Sequence, residues 1–243
     1  MPAWLRIELT WLRRYAPIET GLWRFATLIP LQNLCTSPLQ VFIRQKIQHH
    51  FVPEAAAQGA ALIGAYAISK AAAETALATL EASGPTIILR PHAVYGRGDN
   101  TLLPRLEHAA VSGILALPGD GRAMHSLTHI DNLVQAVHLA LQHNSNDVFN
   151  ICDAAPVELS AAIIELLARR GRPVRIRSVN YQMALAAASL AERFSGVLGA
   201  RKYPLTQYSV AQLALERTYD LSAAQLRLGF RPLATDFTGA ETW

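Results

Sequence analysis

Ala65-Tyr66-Ala67-Ile68-Ser69-Lys70-Ala71-Ala72-Ala73-Glu74 leads into an alanine-rich run that reaches Ala82. Alanine gives up no side-chain freedom in a helix, so the composition predicts a helix over 67–82, stopped by Gly84-Pro85. Thr86-Ile87-Ile88-Leu89 follows, a short β-branched run with the length of a buried strand. The same exchange repeats down the chain. Pro91, Gly96 and Gly98 mark a loop over 90–100, and a helix is expected over 102–111, stopping at Gly113. Asp131 reads as an N-cap, with Ile130 as hydrophobic staple, for a helix reaching Leu141. A strand is expected over 148–152, a helix over 157–170 ended by Gly171, a strand over 174–179 and a helix over 183–194. Strands alternating with helices predict an α/β fold with a largely parallel sheet. No internal repeat is present.

Composition limits what else the chain can be. Its 243 residues are 51% hydrophobic and 16% charged, enough to bury a real core and too apolar for a disordered chain. Two cysteines, Cys35 and Cys152, give neither a disulfide framework nor metal-ligand spacing. No apolar run is long enough to cross a membrane and no secretory signal is recognised, so a cytoplasmic location and no stable membrane insertion are expected. The net charge is +4, and the whole excess sits in residues 1–50, where six Lys/Arg face two acids. A head-only excess is not the face-wide basic patch of a nucleic-acid reader, so no nucleic-acid partner is expected. This head also carries Trp4, Trp11, Trp23 and a single glycine, Gly21; a short helix over 5–12 and a strand over 41–43 are its only regular readings.

Tyr66 and Lys70 are four apart, hence on one face of the predicted helix. An ammonium beside a phenol favours the phenolate, and a tyrosine so tuned can exchange a proton with a carbinol oxygen. Against this stands the plain alternative of a chance Tyr-x-x-x-Lys on a solvated helix. His125 and His129 share the same spacing but no third metal ligand is evident, so no metal site is expected. His129 reads as a structural residue at a helix entrance, and Asp131 and Asn132 as capping residues. Arg122, after Gly119-Asp120-Gly121, reads as a solvated side chain.

The order of motifs resembles the extended short-chain dehydrogenase/reductase family, which includes nucleotide-sugar epimerases and dehydratases and 3β-hydroxysteroid dehydrogenases. Behind Tyr66-x-x-x-Lys70 come Leu89-Arg90-Pro91-His92-Ala93-Val94-Tyr95-Gly96-Arg97-Gly98-Asp99, then Thr128-His129-Ile130-Asp131-Asn132. Last come Thr218-Tyr219-Asp220-Leu221-Ser222-Ala223-Ala224 and Leu228-Gly229-Phe230-Arg231-Pro232. The resemblance covers about 51–243. It implies a partial Rossmann-like, doubly wound parallel sheet with a small C-terminal substrate-binding region, and NAD or NADP as cofactor. It also implies Tyr66 as general acid/base and Lys70 as the residue that lowers its pKa and holds the nicotinamide ribose. Pro91 to Val94 would lie against the nicotinamide, and Arg122 would stand where relatives present substrate-binding residues, a role no stronger than its solvated reading.

The family's Gly-x-x-Gly-x-x-Gly turn has no counterpart in residues 1–50, because Gly21 stands alone there. The serine or threonine that polarises the carbonyl normally lies about 25 residues before the tyrosine, by the resemblance; Ser37 and Thr36 are the candidates, somewhat far upstream. Residues 1–50 are thus an atypical head, either divergent or read in a shifted frame, and 51–243 the C-terminal part of such a domain. In a shifted frame the codons for 38–43 permit Ala-Pro-Ser-Val-Tyr. The expected activity is NAD(P)-dependent oxidoreduction of a secondary alcohol or ketone, since Tyr203 to Val210 and Thr218 to Asp220 look most like the 3β-hydroxysteroid dehydrogenase and ketone-reductase branch. A nucleotide-sugar epimerase or dehydratase is the second reading. An inactive fragment or protein-binding remnant is the third. The expected partners are a small-molecule substrate and, by resemblance, a second copy in a homodimer.

Overall fold

The computed structural model describes residues 34–36, 49–54, 72–75, 77, 85–193 and 206–243. Its centre is a parallel three-stranded sheet in the order β1 (Leu34–Thr36), β3 (Ile87–Pro91), β8 (Asp147–Ile151). Leu34 pairs with Ile87, and Ile87 in turn with Asp147, so the three carboxyl ends reach one edge. β3 is buried at every position, as its unbroken apolar start requires of a strand with neighbours on both sides. Pro91 ends it where no further ladder N–H is needed.

A second sheet runs β2 (His49–Val52), β11 (Arg217–Tyr219), β6 (Met124–His125), β9 (Val157–Glu158), antiparallel only between β6 and β9. Two parallel pairs complete the strands: β5 (Ile114–Pro118) with β10 (Arg175–Val179), and β4 (Val94–Tyr95) with β7 (Thr128–His129). The helices are α1 (Leu102–Ala109), α2 (Ile130–Ala140), α3 (Leu159–Arg169), α4 (Tyr181–Arg193) and α5 (Gln207–Ala214). Residues 72–75 and 77 are helical too, within the run read as a helix.

Two cores divide the molecule. In one, Leu133, Ala136 and Ala140 of α2 pack on Ile87, Leu89, Phe149 and Ile151 of the central sheet. In the other, Leu103 and Leu106 of α1 meet Leu115 and Leu117 of β5, Ile163 and Leu166 of α3, and Phe237. This is the partial Rossmann-like sheet with a smaller C-terminal region that the motifs implied. Among the described residues no helix is long and apolar enough to cross a membrane.

Three boundaries differ from the sequence reading. The N-cap of α2 is His129, whose Nδ1 accepts the Asp131 N–H at 3.2 Å; Asp131 sits exposed inside the first turn, where its charge suits the helix dipole. The segment read as one helix over 157–170 opens instead as β9, because Val157 pairs with His125 before the helix starts at Leu159. The head supplies a strand at Leu34–Thr36, with the residues as they stand; positions 41–43, where a strand was expected, lie outside the described residues.

Candidate active site

The loop that leaves β3 is fixed from below by Thr128. Its buried hydroxyl accepts the His92 N–H at 3.1 Å. It faces the carbonyl oxygens of His92 and Ile151 at 2.7 and 2.8 Å, and donates to one of them. Ala93 is held at φ 43°, a left-handed conformation unusual for a residue with a side chain. Gly96 follows at φ 129°, and a Cβ there would come within 2.7 Å of Ile130 Cγ2, so only glycine lets the loop cross the start of α2. Pro91 is buried at the end of β3, and Val94 is half-buried in β4.

A carboxylate holds the far side of this loop. Asp153 is buried and accepts four hydrogen bonds. Oδ1 receives the His129 N–H and Asn132 Nδ2, both at 2.7 Å. Oδ2 receives the Tyr95 hydroxyl at 2.8 Å and the Thr235 hydroxyl at 2.9 Å. Tyr95 Oη also accepts the Asp236 N–H at 3.1 Å. Burial and the Asp153 charge push the Tyr95 phenol far above its ordinary value, so it stays protonated and acts as a donor, not as a base. Burial raises Tyr219 likewise, and pushes the Cys152 thiol up to about 12, which leaves it without nucleophilic character.

On the other side, Arg90 of β3 forms a buried ion pair with Glu74, Nη2 to Oε2 at 2.8 Å and Nε to Oε1 at 3.2 Å. This pair docks the helical turn 72–75 against the strand whose end carries the loop. Glu74 stands four residues after Lys70 and eight after Tyr66 in the sequence. Tyr66, Lys70 and Ser37 lie outside the described residues, although β1 ends at Thr36, directly before Ser37. The pair therefore sets the helical turn 72–75 beside the strand that leads into the loop of Pro91 and Val94.

The remaining candidates fall into structural roles. Arg122 is exposed. Asn132 is buried and, besides Asp153, exchanges hydrogen bonds with the Leu233 backbone at 3.0 and 2.9 Å. His125 is buried with Nδ1 3.1 Å from Ala123 O and Nε2 2.9 Å from Gln212 O, and burial lowers its pKa. Among the described residues no three His, Cys, Asp or Glu side chains converge as metal ligands.

Beside His92 and Ala93 lies a cavity of about 130 Å³, walled by Leu106, Leu127, Ile163, Leu166 and Phe237. Its wall is almost wholly hydrocarbon. In open α/β sheets ligands bind at the carboxyl edge of the strands, and the loop 91–94 leaves from that edge. The nicotinamide end of the implied dinucleotide therefore fits these residues, with Ala93 and Val94 giving small apolar surface. The pyrophosphate end finds no glycine-rich turn in residues 1–50.

Sequence reasoning missed Asp153 and Glu74. Glu74 continues the four-residue spacing of Tyr66 and Lys70, which could have flagged it. Asp153 carries no local signal, since its donors come from positions 95, 129, 132 and 235.

Residues 52–152 match the model of the NAD dependent epimerase/dehydratase family. The chain is 35% identical over 185 residues to the uncharacterized protein YbjS of Escherichia coli (strain K12), covering 72% of this chain and 55% of that protein. It is 32% identical over 175 residues to 2-alkyl-3-oxoalkanoate reductase of Stenotrophomonas maltophilia (strain K279a), covering 69% and 53%. The chain thus spans about half the length of the curated relatives it matches. In fold it is similar to MoeE5 in complex with UDP-glucuronic acid and NAD, with a TM-score of 0.58 at 20% identity, over 86% of this chain and 62% of that one. With its motif order, its parallel sheet and the matched segment in agreement, residues 52–152 carry a domain of the NAD dependent epimerase/dehydratase family.

Proposed function

We propose that this chain carries the proton-transfer and substrate-facing elements of an NAD(P)-dependent oxidoreductase acting on a secondary alcohol or ketone with a bulky apolar skeleton. The observation that carries this reading is the hydrocarbon-walled cavity beside the loop 91–94. A sugar nucleotide is polar throughout and would leave such a wall unused, whereas an alkyl ketone would bury against it. The 2-alkyl-3-oxoalkanoate reductase among the relatives supports the same choice. The nucleotide-sugar epimerase or dehydratase reading rests on a likeness of fold.

NAD(P), when bound, supplies the hydride acceptor or donor. Tyr66 gives a proton to the ketone oxygen or takes one from the alcohol. Lys70, one turn on, favours the phenolate by its charge and binds the nicotinamide ribose. Ser37, directly after β1, donates a hydrogen bond to the carbonyl oxygen. Pro91 and Val94 pack against the nicotinamide, and the Arg90–Glu74 pair holds the helical turn 72–75 against the strand that leads into that loop.

Titration calorimetry with NADH and NADPH on the full chain is the test, followed by turnover of a 2-alkyl-3-oxo acid against UDP-glucose. Cofactor binding with ketone turnover, lost in Tyr66→Phe while binding persists, supports the proposal. Turnover of the sugar nucleotide alone overturns the substrate class. A cooperatively melting sample that binds neither cofactor overturns the redox reading and favours an inactive or protein-binding role.

A further inference from the structure

β10 runs parallel to β5 in unbroken register, from Arg175 beside Ile114 to Val179 beside Pro118. On its other side no strand is present among the described residues. The Arg175 N–H reaches Gly113 O at 2.8 Å, and Val179 O accepts the Gly119 N–H at 2.9 Å. Backbone groups along a strand alternate in direction. Those of positions 175, 177 and 179 therefore serve β5, and the N–H and C=O of Ile176 and Ser178 turn to the open side. Such an edge is a template for another strand, and proteins blunt it with proline, bulges, brevity or charge. β10 has no proline and no bulge, and its charge is all of one sign.

The side chains alternate too. Ile176 is half-buried and packs on the core that β5 and α3 share, while Arg175 and Arg177 stand exposed. Neither guanidinium has an ion pair or a hydrogen bond among the described residues, unlike Arg169, Arg170 and Arg172 nearby in the chain, which meet Glu165 and Glu107. A second copy of this edge would set arginine against arginine, and like charges opposed across strands repel. An acidic strand would meet opposite charge at both positions. We propose that the β10 edge docks an extended acidic segment of another protein, with Asp or Glu at alternate positions and apolar residues between. Its backbone bonds to Ile176 and Ser178, its carboxylates lie beside Arg175 and Arg177, and its apolar residues adjoin Ile176. The site stands apart from the redox reading, because it uses neither Tyr66 nor Lys70 nor a cofactor.

The test is binding to the full chain, read by calorimetry and by amide hydrogen exchange. The probes are capped peptides of alternating glutamate and valine, of alternating lysine and valine, and the glutamate peptide with N-methylated backbone amides. The glutamate peptide is expected to bind at least about tenfold more tightly than the lysine peptide, the worth of two exposed ion pairs. It should also slow exchange at the Ile176 and Ser178 amides. N-methylation should abolish both effects, because it removes the donors that a strand needs. The double variant R175E/R177E, altered only at exposed positions, should reverse the preference and take the lysine peptide instead. Equal affinity of the two unmethylated peptides for the wild-type chain, or no binding of either, overturns the assignment. So does binding of the glutamate peptide that survives N-methylation or leaves the Ile176 and Ser178 amides unprotected, since the contact is then charge alone.

Discussion

Asp153→Asn and Asp153→Ala should destabilise the protein by clearly different amounts, and the order follows from which donors can change role. Oδ1 faces two N–H groups, of His129 and Asn132, which can only donate. Oδ2 faces two hydroxyls, of Tyr95 and Thr235, which can donate or accept. Asparagine can therefore keep its oxygen on the N–H pair and turn its NH₂ toward the hydroxyls, which rotate to accept. What it loses is the charge assistance and the acceptor for the two hydroxyl protons, about 1–2 kcal/mol in total, while both N–H groups keep their acceptor. Alanine has no such escape. It orphans the His129 N–H, deprives Asn132 Nδ2 of one of its two acceptors, and leaves the hydroxyls of Tyr95 and Thr235 without theirs. At about 1–3 kcal/mol for each stranded N–H, the loss is about 2–6 kcal/mol. Urea unfolding followed by near-ultraviolet circular dichroism measures both, with the slope required to stay constant. Equal losses in the two variants, or a larger loss for asparagine, would refute the reasoning, because the node would then depend on charge and not on acceptor geometry.

Removing one partner of the buried Arg90–Glu74 pair should be severe: Glu74→Ala is expected to cost about 3–5 kcal/mol, and replacing both residues with methionine less than either single change, by thermal melting of all three variants. In a Cys35→Ser chain, Cys152, with its thiol pushed up to about 12 by burial, should resist a disulfide reagent at pH 8 when folded and react at once in urea; fast native labelling would contradict the packing around it. His125 is held neutral in the fold by burial, so its folded pKa lies below the unfolded 6.5. The unfolded chain then binds the extra proton, and the contribution of His125, full above pH 6.5, is lost as the pH falls below it. Unfolding free energies between pH 7 and 5 should fall less steeply in His125→Gln than in the wild type.

The alternation of helix and strand, the loop after Leu89 and the entrance to α2 were all legible, because each is written in contiguous residues with strong local preferences. Thr86 to Leu89 could hardly be anything but a buried strand, and Gly96 and Gly98 sit where the backbone takes positive φ. The short strands β4, β6, β7 and β9 were not legible, since two residues carry no period. β1 was missed because Leu34-Cys35-Thr36 becomes a strand through its parallel register with β3, a tertiary cause. The same limit hid Asp153, whose meaning lies wholly in its distant donors.

The Asp153 node ties residue 95 to residue 236, 141 positions later, and residue 132 to residue 233. During synthesis the loop after β3 can therefore leave the ribosome long before the segment that closes it exists. Until Thr235 and Asp236 arrive, Tyr95 and Asp153 meet without their last partners, and the shape of the cavity wall stays open. Loop closure over such a separation is slow compared with local helix formation. A chain cut before Thr235 would therefore lack two of the partners that fix the loop beside the cavity.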